Sequence, residues 1–423
     1  MKKEIDSQII DFTETFPVFD PSMKDKYTIL IPNMLPWHFD ILCHIMRLEG
    51  YNTVILKNED HSVIDEGLKR VHNDTCYPAV CVIGQYVDAL KSGKYDLSKT
   101  AVLITQTGGG CRASNYLSLI RKALKTEFPS VPVLSLNFSG LEKGNGFEMT
   151  IPLLKKIAYG VFYGDSIMTV YNQVKPYEKN IGDADNARLD CVNFINDLYS
   201  NGGFNNLKKV HAYIFEKFKN VKVVKTEKIK VGIVGEIYVK YSPLGNNRLE
   251  EFLLKEGCEP VMPALMDFVL YCCINNLNDR KIYGNKNKMQ ILFKFAYEYL
   301  KSKQKAVIKL FEKDKTFIPP HNIEHVRKLA DKVLNQGVKM GEGWLIPAEM
   351  AAFAESSVNN VVCAQPFGCL PNHIAGKGAA RTVKQHYPNV NIVPIDYDPS
   401  ATKVNQENRI KLMIATAKEM LNH

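Results

Sequence analysis

The run Tyr27-Thr-Ile-Leu-Ile-Pro-Asn33 has the apolar, β-branched character of a strand. It is followed by a helical pattern over His38 to Leu48, a turn glycine at Gly50, and a second strand-like run to Leu56. Strand, helix, turn, strand in that order commits the chain to a parallel sheet, because parallel neighbours need a crossover long enough to hold a helix. The alternation continues with helical stretches near Ile64 to Val71 and Ala79 to Leu90, the strand Ala101 to Thr105, a helix over Ala113 to Phe128 and the strand Val131 to Leu136.

The same opening returns at Ile229-Lys-Val-Gly-Ile-Val-Gly235. A helix near Asn247 to Lys255, Gly257 and the run Glu259 to Met262 come after it. The chain closes with strand Asn360 to Ala364, helix Lys377 to His386, strand Val390 to Ile395 and a helix from Gln406 to Leu421. The 423 residues exceed what one core organises. The expected fold is therefore α/β, with two parallel-sheet domains of Rossmann or flavodoxin-like build and an additional helical region. Expected boundaries are an N-terminal arm over 1–26, a first α/β domain over 27–165, a helical connector over 166–225, and a second α/β domain over 226–423 with a helical insertion about 268–335.

Composition narrows the setting. No apolar run approaches the roughly 18 residues of a membrane span, and Met1-Lys2-Lys3-Glu4-Ile5-Asp6 lacks the apolar stretch of a secretory signal. The expectation is a cytoplasmic protein without a membrane partner. In a reducing compartment the ten cysteines are poor disulfide candidates, which leaves metal ligation or catalysis for some of them. The net charge of +9 reads as a solvated basic surface, with Lys and Arg spread along the chain, and no nucleic-acid signature accompanies it.

Three cysteines share one context. Gly108-Gly109-Gly110-Cys111 lies between a strand and a helix, so the glycines admit a bulky group and the helix start offers free N–H groups to an anion. Cys369, in Gln365-Pro-Phe-Gly-Cys-Leu-Pro-Asn-His373, also follows a strand and precedes a helix, and Cys76 stands before Tyr77-Pro78 at another helix start. A helix N-terminus favours the thiolate, the form that binds metal. Spacing alone leaves buried small hydrophobes and cluster ligands equally open. The shared context favours ligation, with Cys81 and Cys363 in reserve, whereas Cys43, Cys258, Cys272 and Cys273 read as core. Gly108 to Gly110 lack the lysine and hydroxyl of a P-loop, so ATP binding by this chain is not expected. Zinc would need paired cysteines that the sequence lacks. A nucleophilic Cys111 served by His373 is a minor alternative.

The strings Asn73-Asp-Thr-Cys-Tyr-Pro78, Gly84-Gln-Tyr86, Gln106-Thr-Gly-Gly-Gly-Cys-Arg112, Gly235-Glu-Ile-Tyr238, Gly341-Glu-Gly-Trp344, Gln365 to His373 and Asp396-Tyr-Asp398 resemble the 2-hydroxyacyl-CoA dehydratase superfamily. The nearer likeness is to its activase-related branch, related also to double-cubane cluster proteins. That resemblance implies a [4Fe–4S] or double-cubane [8Fe–9S] cluster on Cys76, Cys111 and Cys369 in an anaerobe. It implies electrons from an ATP-hydrolysing activator protein, with ATP used only by that partner, and reduction or dehydration of a small-molecule substrate such as an acyl-CoA. It further implies a homodimer. Around the cysteines, Glu236 and His373 are candidate acid–base groups, and Gln106, Gly109, Gly110, Arg112 and Asn115 are candidate cofactor-binding residues. The alternative is a non-catalytic electron-transfer or cluster-carrying protein.

Overall fold

The computed structural model describes residues 16–72, 74–106, 110–137, 147, 149–285, 287 and 289–421. The first half runs β1 (Thr28–Ile31), α1 (Pro36–Leu48), β2 (Thr53–Ile55), α2 (His61–Leu68), α3 (Tyr77–Lys91), β3 (Thr100–Gln106), α4 (Tyr116–Leu124) and β4 (Val133–Asn137). Three helices follow: α5 (Ile151–Val174), α6 (Asp183–Ser200) and α7 (Leu207–Lys219). The second half begins with β5 (Lys230–Gly235), α8 (Ile237–Tyr241), α9 (Leu249–Lys255) and β6 (Glu259–Val261). It continues through α10 (Leu265–Tyr283), α11 (Met289–Asp314), α12 (Ile323–Val333) and α13 (Leu345–Glu355). It ends with β7 (Asn360–Pro366), α14 (Gly378–His386), β8 (Asn391–Tyr397) and α15 (Lys403–Leu421).

Two four-stranded sheets result, in the orders β2-β1-β3-β4 and β6-β5-β7-β8, and every pairing is parallel. In both, the crossovers change direction on either side of the first strand. Open parallel sheets hold their ligands in the crevice beyond the carboxyl ends of the strands at such a point. The strand order thus marks the loops after β1 and β3, and after β5 and β7.

Alternation along the strands explains the cores. Ile29 faces one apolar core and Leu30 the other, and Val361 and Val362 divide in the same way. Each core draws residues from both sheets, so the halves share their interiors. The helical layer between the halves starts earlier than expected. Helix α5 runs unbroken across the boundary placed at 165/166, because Thr150 caps its start and Pro152 opens its first turn. From α5, the buried Asp165 carboxylate accepts the N–H groups of Leu265 (2.7 Å) and Met266 (3.0 Å) at the start of α10, and it pairs with His38 Nε2 of α1 at 2.9 Å. One carboxylate therefore joins the first sheet's helix layer to the helical insertion. No helix among the described residues is long and apolar enough to cross a membrane.

Gly235, at the end of β5, has φ +139°, and a Cβ there would lie 2.1 Å from the Ala364 carbonyl oxygen of β7. Only glycine allows this approach. Gly235→Ala is expected to lower stability by about 3 kcal/mol through backbone strain and overpacking, read as a fall in the denaturant midpoint. A midpoint equal to wild type would mean that β5 and β7 part easily.

Candidate metal centre

Each of the three cysteines stands immediately before a helical segment. Cys76 occupies the position before α3, Cys111 precedes a short turn (Arg112–Asn115) that leads into α4, and Cys369 follows β7 directly before the next helical turn. The Ala113 N–H points at Cys111 Sγ (3.5 Å), and Tyr116 Oη shares a 3.0 Å hydrogen bond with Cys76 Sγ. Beyond Cys369 the chain makes a π-helical turn over Asn372–Lys377. Asn372 is held inside it, donating to the Ala364 carbonyl at 3.1 Å. Wide turns of this kind recur at functional sites.

The two halves meet at these cysteines. The Tyr77 N–H donates to the Phe367 carbonyl at 3.0 Å. Gly368, at φ +70°, would place a Cβ 3.1 Å from Cys76 Cα and 3.4 Å from Arg112 Nη1. Cys76, Arg112 and the Gly368-Cys369 peptide are thereby stacked at one seam. Gly110 faces Met340 of the second half from the other side. Burial raises all three thiols, Cys111 to about 12, and outweighs the helix starts, which were expected to lower them. Without a cation these thiols stay protonated.

Two carboxyl groups lie in the same neighbourhood. Glu236, straight after β5, caps α8 by accepting the Val239 N–H at 2.8 Å. Glu342 accepts the Ile237 N–H at 3.0 Å, and its Oε2 is buried with no hydrogen-bond partner. Their fields reach both Cys111 and Cys369. Burial, and for Glu236 also the nearby Glu342, holds both carboxyls above the usual range. Farther in, Lys240 Nζ pairs with Glu349 at 3.2 Å, both side chains buried.

The other expected residues take different parts. Gln106 is a strap: its amide donates to the Ser114 carbonyl (2.9 Å) and its oxygen accepts from Ser135 (3.3 Å), which ties the Cys111 loop to the sheet. Arg112 is bound to the Asp74 carbonyl and holds the loop before Cys76. Asn115 is exposed, His373 is half-buried at the mouth, and Gly109 lies outside the described residues. Glu342 was missed as a site residue. Its motif, Gly341-Glu-Gly-Trp344, was visible, but nothing in the string signals that the carboxylate turns inward.

Among the described residues, no three His, Cys, Asp or Glu close on a single metal ion. A cube differs, because each thiolate binds a separate iron and the ligands stand apart. Three thiols from three helix starts, those of Cys76 and Cys369 buried and that of Cys111 half-buried, fit that donor set. The reserves do not extend it: Cys81 is fully buried with its thiol toward the Tyr77 side chain, and Cys363 is engaged by Gln365 and Asn372. No protein-family model and no curated protein matches the chain.

The carboxyl pair gives a pH test on the metal-free protein. Folded Glu236 keeps its proton to about pH 8, against 4.5 for the ordinary group, so between these values the folded chain holds the extra proton. Stability then falls as pH rises through that window. Glu236→Gln has no such proton to lose. Its melting temperature is expected to drop less than that of wild type between pH 6 and pH 9, as read by calorimetry, and parallel pH profiles would mean that the pair is ionised throughout.

Proposed function

We propose that Cys76, Cys111 and Cys369 hold an iron–sulfur cluster in a 2-hydroxyacyl-CoA dehydratase-type protein of the activase-related branch. The observation that carries this reading is the convergence of three cysteines, distant in sequence and each at a helix start, on the seam between two parallel sheets, with Glu236 and Glu342 beside them. The repeated strand order suits two domains of Rossmann or flavodoxin-like build.

When bound, a [4Fe–4S] or double-cubane [8Fe–9S] cluster supplies one-electron reducing chemistry at low potential. The chain's own residues supply the rest. The Cys76, Cys111 and Cys369 thiols would lose their protons on ligation, and the Ala113 N–H would then donate to an anionic sulfur. Three thiolates are one fewer than a four-iron cube can accept, which leaves room for a small substrate. Glu236 and Glu342, both held above the usual carboxylate range by burial, are the acid–base groups nearest the cysteines. Gln106 and Arg112 fix the two cysteine loops of the first half. Phe367, Leu370 and Met340, exposed around the cysteines, give the mouth an apolar rim suited to an acyl group or to a protein that docks there.

ATP hydrolysis belongs to the partner activator in this reading, because the glycine run carries no P-loop lysine. The protein expected is cytoplasmic, anaerobic and homodimeric.

Anaerobic purification is expected to yield about four irons per chain for one cube or about eight for a double cube, with matching acid-labile sulfide and an EPR signal on reduction. Cys76→Ser, Cys111→Ser and Cys369→Ser are each expected to abolish most of the iron, while Cys43→Ser leaves it intact. A colourless wild type after anaerobic reconstitution would refute the reading.

A further inference from the structure

The basic charge is more concentrated than its spread along the chain suggested. Residues 280–309 contain nine Lys and Arg against a single acid, Glu298, a net +8 in a chain whose total is +9. This segment comprises the end of α10, the connection, and most of α11. Arg280, Lys281, Lys294, Lys305 and Lys309 are exposed and make no ion pair among the described residues.

Helix α11 carries two apolar stripes. One is inward, where Tyr297, Leu300, Val307 and Phe311 are buried. The other faces outward: Ile291, Leu292 and Phe295 recur at helical spacing and are 65%, 56% and 71% exposed, while Tyr299 one turn on leans back on Tyr159 of α5. Ile282 and Tyr283, at the end of α10, are also exposed and extend the same tip. The inner stripe is the one that packs on the molecule, and a contiguous exposed apolar set of this kind marks an interaction surface. Large exposed apolar side chains on a strongly basic segment are complementary to a surface that is apolar within and anionic at its face.

We propose that the tip formed by the end of α10 and the first turns of α11 docks this protein on an anionic lipid bilayer. Phe295, Leu292 and Ile291 enter the acyl boundary, and the surrounding lysines meet the headgroup phosphates. Nucleic acid is the less suitable occupant, since a phosphate backbone gives exposed Phe295 and Leu292 nothing apolar to contact. The docking is peripheral, replaces the expectation of no membrane partner drawn from the lack of an apolar span, and does not depend on the cluster.

The test is co-sedimentation of the full chain with vesicles of phosphatidylcholine containing one-third phosphatidylglycerol, and with phosphatidylcholine alone. Binding is expected to the anionic vesicles only. It should weaken at least about tenfold in the double variant Leu292→Asp, Phe295→Asp, and about fivefold for each charge reversed in Lys294→Glu and Lys305→Glu. All four positions are solvent-facing or flank the stripe, so circular dichroism and melting temperature should match wild type. Phe295→Ser serves in place of the double variant if that one melts early. No binding to anionic vesicles would overturn the proposal, as would unchanged binding by the apolar variants, or displacement by polyglutamate as effective as by free anionic vesicles, which would indicate an acidic protein partner. A concentration-dependent dimer that the same apolar substitutions dissociate, with no vesicle binding, would reassign the face to self-association.

Discussion

The site depends on one seam. Cys76 and Cys111 belong to the first sheet and Cys369 to the second, and they are neighbours because the Tyr77 N–H reaches the Phe367 carbonyl and Gly368 lies against the Cys76 backbone. A side chain at 368 would need a left-handed backbone that L-residues avoid, and it would push into the start of α3. The contact is main chain to main chain, so it leaves the side chains of Cys76 and Cys369 unengaged by the joint itself. The shared cores make the seam rigid, since each sheet face packs into an interior common to both halves.

Burying so many carboxyl groups in the second half and its junction with α5 has a physical cost, and the arrangement shows how it is contained. Glu236, Glu342, Glu349, Asp267 and Asp165 are all buried, and Lys240 is buried among them. Asp165 is satisfied by two helix N–H groups, and Asp267 by Gln304 at 2.7 Å. Glu349 is balanced by Lys240, while Tyr241 offers its ring to the ammonium at 4.8 Å. Of these five carboxyls, Glu342 is the one with a buried oxygen lacking a partner among the described residues. The incompletely satisfied carboxyl is thus the one at the cysteines, the kind of buried unmet acceptor that marks a candidate functional site.

Most of the fold was legible, and so were the settings of the three cysteines. Strand and helix positions followed from periodicity and from Gly50 and Gly257, which end helices where expected. The cysteine contexts were legible because Pro78 and Pro371 mark helix starts and a strand precedes two of the three. Three things were hidden. The inward turn of Glu342 is set by the Ile237 N–H, over a hundred positions away in sequence. Gln106 and Arg112 looked like ligand-binding residues, and only tertiary structure reveals carbonyls that occupy them. The outer stripe of α11 overlaps the inner one, so in sequence the helix reads as apolar on most sides, and the exposed side can be told from the buried one only once α10 and α7 are packed on it.

The basic tip and the seam are connected through α10. Tyr283, at its end, donates to the Gly337 carbonyl at 2.8 Å, Asp279 holds Lys339, and Tyr271 donates to the Gly341 carbonyl at 2.9 Å. The segment from 337 to 341 is therefore laid along the helix from the tip to the turn that carries Met340 and Glu342. From Tyr283 to Tyr271 is twelve residues of helix, about 18 Å. Three tethers over that length leave little freedom for the tip to swing independently of the cysteines. A surface that captured Phe295 and its lysines would consequently fix the orientation of the apolar mouth as well, because the strut between them is a helix pinned at both ends.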